Sequence, residues 1–354
     1  MTKARDIASA TTPNANAALL ATFPHKNLII NGAMQVAQRG TSETGITSGG
    51  SYRNAPDRFK FGLSSAGTWT VSQDSDAPEG FANSYKLACT TADASLSAGD
   101  YIDFLTGFEG QDVQRLKKGT ASAESVTLSF WCKSNKTGTY IVNIQDTDNA
   151  RTVAKSYTVN VAGTWEYKTL TFVGDTNGVL DDDNAQSLRV KWWFAAGSTY
   201  SSGTLATSWE ANTAANYAVG QVNLADSTSN YFNITGIQLE LGGTATPFEH
   251  RSFGDELARC QRYFQVHEDI QMRGYINASF TRIEQHVAWP VEMRANPTSA
   301  IITTGSSSNI RSPDTTYSGF RMNTSKNGAV LSMESASSGL MYFTGRKESL
   351  DAEL

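Results

Sequence analysis

The sequence predicts an all-β protein with one short connecting helix, and three features of the chain support this fold class. Apolar and polar residues alternate over several short segments. Runs rich in Gly, Ser, Thr and Asn separate these segments, and only 18% of the residues are charged. Such runs are typical of the turns between strands. A convincing helical spacing of apolar residues occurs once, after Pro247.

The segment 188–194 illustrates the alternation. Its two parities are Leu188, Val190, Trp192 and Phe194 against Arg189, Lys191 and Trp193. A period of two places these sets on opposite faces of a strand. Segments that begin near Val126, Tyr140 and Tyr157 repeat the pattern. Strands at this spacing, separated by turns, predict a two-sheet β-sandwich.

Two segments change parity along their length. In 231–241 the apolar residues are even-numbered before Gly236 and odd-numbered after it, and a glycine inside a strand often marks such a switch. In 165–172 the aromatic residue Tyr167 has the opposite parity to the later residue Phe172. A β-bulge would explain this second shift.

The predicted helix begins near Ser252. Ser252 and Asp255 have the Ser-x-x-Asp spacing of a helix N-cap. Apolar residues follow at helical intervals: Phe253, Leu257, Cys260 and Phe264. The segment 251–265 is therefore expected to connect two domains.

Four regions follow from these patterns. An N-terminal arm, 1–26, carries small polar residues that cannot form a core. The sandwich occupies 27–250, the connecting helix 251–265, and a small C-terminal β-domain 266–354. Within that last domain the dipeptide Asn327-Gly328 predicts a hairpin turn.

Composition argues against several classes of function. The chain has 29 basic and 34 acidic residues, a net charge of -5, and this leaves no basic excess for a nucleic-acid backbone. No apolar run reaches the length of a membrane span, and the N-terminus lacks the apolar stretch of a secretion signal. Its three cysteines are odd in number and far apart, which argues against a disulfide framework and a zinc site, and its four histidines show no metal-ligand spacing.

Motifs of nucleophilic, nucleotide-binding and zinc-dependent catalysis are absent from the sequence. A pair of glycosidase carboxylates needs no local motif, so the sequence alone leaves that chemistry open. The acidic run 181–183 contains three oxygen-ligand residues, but its spacing fits no EF-hand loop. We interpret it as a solvated turn.

Two tryptophans are candidate ligand-binding residues because alternation places each opposite the apolar set of its strand. Trp131 and Trp193 would form an aromatic platform for sugar rings. The hydroxyls would be bound by polar neighbours, for which the candidates are Asn143, Gln145 and Arg189. The alternative is that a loop or another subunit covers both rings, because a tryptophan facing water is costly.

Several segments resemble known proteins. Residues 27–36 (NLIINGAMQV), 128–133 (LSFWCK), 163–167 (GTWEY) and 231–242 (YFNITGIQLELG) resemble strands of jelly-roll carbohydrate-binding modules. The order of NLIINGAMQVAQRG at 27–40, APDRF at 55–59 and TPFEHRSFGDELARCQRYF at 246–264 is similar to bacteriophage tail-fibre and related virion appendage proteins. The last segment is the specific one, and the likeness covers most of 27–265.

This resemblance implies a non-enzymatic structural or adhesive protein, usually a homotrimer, and we expect no cofactor. Its N-terminal arm would join other virion proteins, and its C-terminal tip would face a host surface polysaccharide. The protein would be made in the host cytoplasm and carried in the virion. Related modules also hold a structural calcium between the first and last strands. Here Gln35 and Asn233 stand where acidic ligands are expected, which argues against calcium at that place.

The function expected from the sequence is a phage tail fibre or receptor-binding appendage that binds a host glycan. Three alternatives stay open: a head-decorating fibre or structural tail component without adhesion, a polysaccharide depolymerase, and a sugar-binding module of a secreted polysaccharidase.

Overall fold

A computed structural model describes residues 25–276, 282–303, 317–335 and 339–354. The chain divides into two compact units, the first running to Glu256 and including Leu354, the second spanning Leu257–Glu353. Apart from its last two residues, the predicted arm 1–26 lies outside the described residues.

The first unit is built on β-strands, as the alternation predicts. Its strands are β1 (Ser42–Tyr52), β2 (Lys60–Asp74), β3 (Ser84–Thr91), β4 (Tyr101–Glu109), β5 (Val126–Ser134), β6 (Gly138–Asp146), β7 (Arg151–Val159), β8 (Glu166–Phe172), β9 (Gln186–Ala196), β10 (Glu210–Ala211) and β11 (Tyr231–Leu241). Its described short helices are α1 (Gly110–Val113) and α2 (Ser198–Ser201), with 3₁₀ turns at Gln114–Leu116, Ala214–Asn216 and Leu224–Asp226.

These strands form one antiparallel sheet in the order β10-β7-β6-β9-β4-β2-β3-β11-β5-β8, with β1 also paired to β2. Strand β2 serves both halves of this sheet. Its first part, Lys60–Ser64, pairs with β4, and its second part, Thr68–Asp74, pairs with β3. Ser65 and Gly67 between them have positive φ angles of 48° and 82°, which bend the strand.

The bend lets the sheet fold over on itself into two layers. We call β10-β7-β6-β9-β4 layer A and β3-β11-β5-β8 layer B. Aromatic rings meet between the layers: Phe130 of β5 lies 5.1 Å from Tyr157 of β7, and Phe232 of β11 lies 4.7 Å from Phe194 of β9. The predicted β-sandwich is therefore confirmed, with its main apolar core between the layers.

One predicted parity shift is confirmed and the other is wrong. The pairing of β11 with β5 shifts register between Thr235 and Gln238, and Gly236 in between has a φ of 61°. The pairing of β8 with β5, in contrast, keeps its register throughout. Tyr167 differs in parity from Phe172 because its side chain faces outward from layer B, not because the strand bulges.

The predicted helix is observed as α3 (Phe253–Gln261). Ser252 Oγ accepts the backbone N–H of Asp255 at 3.2 Å, which confirms the predicted cap. The helix is shorter than 251–265, since Phe264 already begins the next strand.

The second unit contains two three-stranded sheets. Its strands are β12 (Phe264–Ile276), β13 (Arg282–Ala288), β14 (Thr298–Thr303), β15 (Tyr317–Ser325), β16 (Gly328–Ser335) and β17 (Gly339–Asp351). They pair in the orders β12-β17-β14 and β13-β16-β15. The predicted hairpin joins β15 to β16, with Lys326 and Asn327 as its turn residues, one position earlier than expected. The small apolar core of the second unit includes Trp289, Met293 and Leu331.

No helix among the described residues has the length and apolar character needed to cross a bilayer.

Candidate functional site

Four of the five predicted site residues come together on the outer face of layer A. Trp193 and Arg189 lie on β9, and Asn143 and Gln145 lie on the neighbouring strand β6. The indole N–H of Trp193 donates to Asn143 Oδ1. Arg189 Nε donates to Gln145 Oε1 at 2.7 Å. The sequence pattern thus identified a real cluster of side chains.

This cluster is covered, which corrects the prediction of an exposed platform. Trp193 is 1% exposed, and Asn143 and Gln145 are 0% exposed. The cover is the segment 197–222, which we call the covering segment. Its residues Tyr200, Ala206, Tyr217 and Ala218 pack against the Trp193 cluster. A sugar ring cannot stack on an indole that other side chains already bury, so the loop-cover alternative applies to Trp193.

The covering segment is fastened to layer A by backbone hydrogen bonds. The Ala154 N–H donates to the Ala206 carbonyl at 2.6 Å, and the Val222 N–H donates to the Thr139 carbonyl at 2.9 Å. Such bonds satisfy backbone groups that burial would otherwise leave without water. The cover is therefore part of the fold.

Trp131 lies elsewhere, on the outer face of layer B. It is half-buried and stands directly opposite Tyr167 in the pairing of β5 with β8. The two ring centroids are 5.3 Å apart with an interplanar angle of 49°. Tyr167 is 44% exposed, so this pair offers an aromatic surface to solvent.

Trp131 and Tyr167 line one side of an open cleft of about 510 Å³. The cleft is also lined by Phe81, Phe248 and His250. These three rings contact one another, with the Phe81 centroid 5.0 Å from that of Phe248 and 5.2 Å from that of His250. We call the Trp131–Tyr167 pair the floor and the three-ring group the wall. The volume falls within the range of roughly 300–1,000 Å³ typical of small-molecule sites.

Gly236 makes the meeting of floor and wall possible. A Cβ at this position would lie 2.7 Å from the Phe81 ring and 3.1 Å from the Trp131 ring, the first distance being shorter than any normal contact. Its positive φ of 61° also favours glycine. The parity switch read from the sequence therefore marks the centre of the cleft.

The loop that carries Phe81 is tied to layer B by Asp76. The Asp76 carboxylate accepts hydrogen bonds from Lys133 Nζ at 2.7 Å and from the Trp165 indole N–H at 3.0 Å. Burial raises the pKa of Asp76, but the hydrogen bonds from Lys133 and Trp165 outweigh it and hold the pKa below its usual value. The ionised carboxylate thus fixes the wall at neutral pH.

The loop that carries Phe248 is anchored by Glu240 of β11. Glu240 accepts the backbone N–H of Thr246 at 2.8 Å and its hydroxyl at 2.5 Å. Gln238 Nε2 donates to the Thr246 carbonyl at 3.2 Å. Floor and wall are therefore held in place before any ligand arrives, which reduces the entropy cost of binding.

The segment 246–256, the first part of the segment 246–264 that carried the specific resemblance, has a second structural role. Glu249 accepts the backbone N–H of Asn27 at 2.7 Å, and Arg251 donates to the Ile29 carbonyl at 3.0 Å. Glu256 accepts another backbone N–H of the segment 25–31 at 2.5 Å. We call this set of contacts the clasp, because it joins the first described residues of the sandwich to the last.

Polar positions suggested for metal binding have other contacts. Asn233 is buried and donates to Ser84 Oγ at 2.9 Å. The acidic run 181–183 is exposed between β8 and β9, as expected for a solvated turn. In the part of the chain that the structure describes, no group of three or more His, Cys, Asp or Glu side chains is placed to hold a metal ion.

A lysine ammonium occupies one oxygen-rich site on the sandwich. Lys118 Nζ lies 2.5 Å from Asp146 Oδ2 and 3.1 Å from Asp175 Oδ2. It also donates to the carbonyls of Asn177 and Gly178 at 2.8 Å and 2.9 Å. Two carboxylates and two carbonyls that could hold a cation are thus already occupied by this side chain.

Sequence reasoning missed four of the five rings of the cleft. Tyr167 carried a signal, since its parity opposed that of Phe172, but the shift was interpreted as a bulge. Phe248 and His250 lie within the segment noticed for its resemblance. Phe81 lies in a loop, where no periodicity reveals direction. The strand order brings Tyr167 of β8 beside Trp131 of β5, and the segments that follow β2 and β11 bring the other three rings to them.

No protein-family model matches the chain, and no curated protein matches it. Several solved structures are similar at low identity. The enzymatically active domain of tailspike protein 4 from bacteriophage CBA120 is 14% identical over 62% of this chain and 22% of that chain, with a TM-score of 0.33. A CBM22-1–GH10 xylanase fragment from Clostridium thermocellum, complexed with xylohexaose, is 12% identical over 62% of this chain and 29% of that chain, with a TM-score of 0.31.

A family 11 carbohydrate-binding module from Clostridium thermocellum, in complex with a mixed-linked tetrasaccharide, is 12% identical over 60% of this chain and 99% of that chain, with a TM-score of 0.28. This chain thus spans less than a third of the tailspike and xylanase chains. The sandwich architecture itself stands on the strand pairings described above.

Proposed function

We propose that the protein is a non-enzymatic glycan-binding protein and that the cleft between floor and wall is its sugar site. The observation that supports this proposal is the outward-facing pair of Trp131 and Tyr167 at the base of an open, preformed cleft. The C–H face of a pyranose is apolar and flat enough to pack on such rings, while its hydroxyls stay near water at the open side.

The weakness of single sugar contacts fits a repeated presentation of this site. Each hydroxyl bound by the protein gives up a hydrogen bond to water, so the net gain per site is small. Several linked copies raise the effective affinity without any new contact. A homotrimer of this chain, displayed in many copies, would bind a surface polysaccharide firmly through weak individual sites.

We further propose a more specific role for this glycan-binding protein, that of a phage tail fibre or receptor-binding appendage. It is supported by the resemblance of 27–40, 55–59 and 246–264 to virion appendage proteins. In this proposal the N-terminal arm joins other virion proteins, and the glycan belongs to the host surface. Part of the most specific segment, 246–256, also fastens the start of the sandwich through the clasp.

A binding experiment on the full chain tests the sugar site. Wild type, Tyr167→Ala and Trp131→Ala are screened on an array of bacterial surface polysaccharides, and hits are titrated by calorimetry. Removing either floor ring is expected to weaken binding at least about fivefold, roughly 1 kcal/mol. Phe253→Ala is the matched control, because Phe253 is also an exposed aromatic, 57% exposed, but does not line the cleft. Loss of binding in the control, or unchanged binding in both floor variants, would contradict the assignment.

A second experiment tests the virion role. Residues 1–24 are deleted and the truncated protein is supplied to assembling particles. His25 and Lys26 are retained, because the His25 N–H donates to Glu249 and Lys26 Nζ donates to the Pro247 carbonyl. The truncated chain is expected to fold but to be missing from purified particles. Normal incorporation of the truncated protein would overturn the proposal that the N-terminal arm attaches the protein to the particle. In a separate assay, release of reducing ends from host polysaccharide by the pure full-length protein would overturn the non-enzymatic assignment.

A further inference from the structure

The charge of the cleft restricts which sugars fit it. Among the described residues that line it, Glu79 is the one carboxylate and no lysine or arginine is present. Glu79 is exposed and faces the same solvent as an incoming ligand. The lining thus offers an acidic sugar one carboxylate and no lysine or arginine partner.

Lysines on the two floor strands and beside the wall are engaged with other partners. Lys133 lies 2.7 Å from Asp76 Oδ2, and Lys168 lies 2.5 Å from Glu166 Oε2. Lys26 donates to the carbonyl of Pro247 and to the hydroxyl of Thr246. A carboxylate that entered the cleft would lose water without gaining a charged partner.

The wall restricts the ligand further. Phe81 and Phe248 present apolar ring surface, and the contacts among Phe81, Phe248 and His250 hold the three rings as one group. A sugar whose hydroxyls pointed at this surface would bury them without hydrogen bonds, which is costly. A sugar that carries a methyl group, as an acetamido or 6-deoxy substituent, would bury that methyl favourably.

We propose that the cleft selects uncharged, methyl-bearing sugar units, namely N-acetylhexosamines or 6-deoxyhexoses, and that Glu79 excludes acidic sugars from it. This inference rests on the proposed function, because it names the ligand class of the same site. The floor supplies the stacking surface common to all pyranoses. The wall and Glu79 supply the discrimination between them.

The probes are the methyl glycosides of N-acetylglucosamine, rhamnose, glucose and glucuronic acid. Binding to the full chain is followed by changes in NMR spectra of the ligand and by titration. The two methyl-bearing glycosides are expected to bind about 3- to 10-fold more tightly than glucose, the size of one buried methyl group. The glucuronide is expected to bind most weakly.

The variant Glu79→Gln tests the electrostatic part. It should tighten binding of the glucuronide about 3- to 10-fold, the effect of one nearby like charge, and leave neutral glycosides unchanged. Asp182→Asn is the matched control, because Asp182 is an exposed acid that does not line the cleft. This variant should change the affinity for neither the glucuronide nor the neutral glycosides.

The outcomes separate this inference from the proposed function. Glucuronide binding equal to that of the neutral glycosides, or unaffected by Glu79→Gln, would overturn the exclusion of acidic sugars while leaving glycan binding intact. Equal binding of glucose and the methyl-bearing glycosides would overturn the role of the wall. Failure of every monosaccharide probe and every polysaccharide on the array would overturn the proposed function itself.

Discussion

Trp131 and Trp193 occupy equivalent positions in the strand pattern but differ in how far they are buried. Each faces outward from its layer, opposite the apolar set of its strand. Trp193 is 1% exposed beneath the covering segment, whereas Trp131 is half-buried and forms part of an open floor. The difference arises outside the two strands. Strand β9 is followed by the long connection 197–230, which folds back over layer A, whereas β5 is followed by a short turn into β6.

Alternation in the sequence therefore identifies outward-facing aromatic residues but not their use. The same indole is a structural element where the chain returns to cover it, and a binding surface where it does not. The polar neighbours follow the same rule. Asn143 and Gln145 are buried partners of Trp193 and Arg189, while the polar groups beside Trp131 fasten loops around a cleft that stays open.

The largest expected difference between the two tryptophans is in stability. Trp193→Ala should lower the free energy of unfolding by about 3–5 kcal/mol, because it removes a fully buried side chain. Trp131→Ala should cost less, about 1–2 kcal/mol, because that ring is only half-buried. Urea denaturation followed by circular dichroism measures both. Equal losses would contradict the distinction between a covered and an open face.

The next effect concerns Gly236. Gly236→Ala should lower the free energy of unfolding by about 1–2 kcal/mol, the cost of a left-handed backbone for an L-residue, and should abolish sugar binding by pushing Phe81 from Trp131. Gly220→Ala is the matched control, since Gly220 also has a positive φ, 88°, but no atom within 4 Å of the added Cβ. The control should lose similar stability yet keep full binding. Binding retained in Gly236→Ala would show that the close approach of floor and wall is unnecessary.

The smallest expected effect is a pH dependence at the edge strand β8, beside Tyr167. Burial raises the pKa of Glu166, but hydrogen bonds from Lys168, Val161 and Asn160 lower it to about 2. A depressed pKa contributes stability above the unfolded value of 4.5, and that contribution disappears as the pH falls through about 2.

The variant Glu166→Gln should therefore lose about 1 kcal/mol at pH 7, a value reduced by solvent screening. Its stability should also change less between pH 4.5 and 2 than that of wild type. Thermal melts across this range measure the slope. The matched control Glu124→Gln removes a more exposed ion pair, Lys117–Glu124, and should cost less stability at pH 7 than Glu166→Gln. If the stability of Glu166→Gln depended on pH as that of wild type does, the ionised Glu166 side chain would not stabilise the edge strand β8.

The elements of the fold were predictable where local chemistry decides them. Alternation placed Trp192 inward and Trp193 outward, Gly236 marked a real bulge, and Ser252 capped the only predicted connecting helix. These features depend on residues close together in the chain, so the sequence carries them directly.

The candidate site was only partly predictable for the opposite reason. Trp131 was identified, but its partner Tyr167 is paired with it only through the strand order. The covering segment is rich in Ser, Ala and Gly and shows no period, so nothing local reveals that it buries Trp193. Asn143 and Gln145 were expected to face a ligand but are buried beside Trp193, whereas Arg189 is half-buried.

The clasp has a mechanical consequence. Its hydrogen bonds join the segment 25–31 directly to 246–256. A pulling force applied between these two points is carried by the clasp and by the Leu28 N–H to Leu239 carbonyl bond nearby, at 2.9 Å. The strands between them lie outside this short load path. Tension transmitted along the chain would thus bypass the strands β5 and β8, and the floor rings Trp131 and Tyr167 would keep their arrangement until the clasp ruptured.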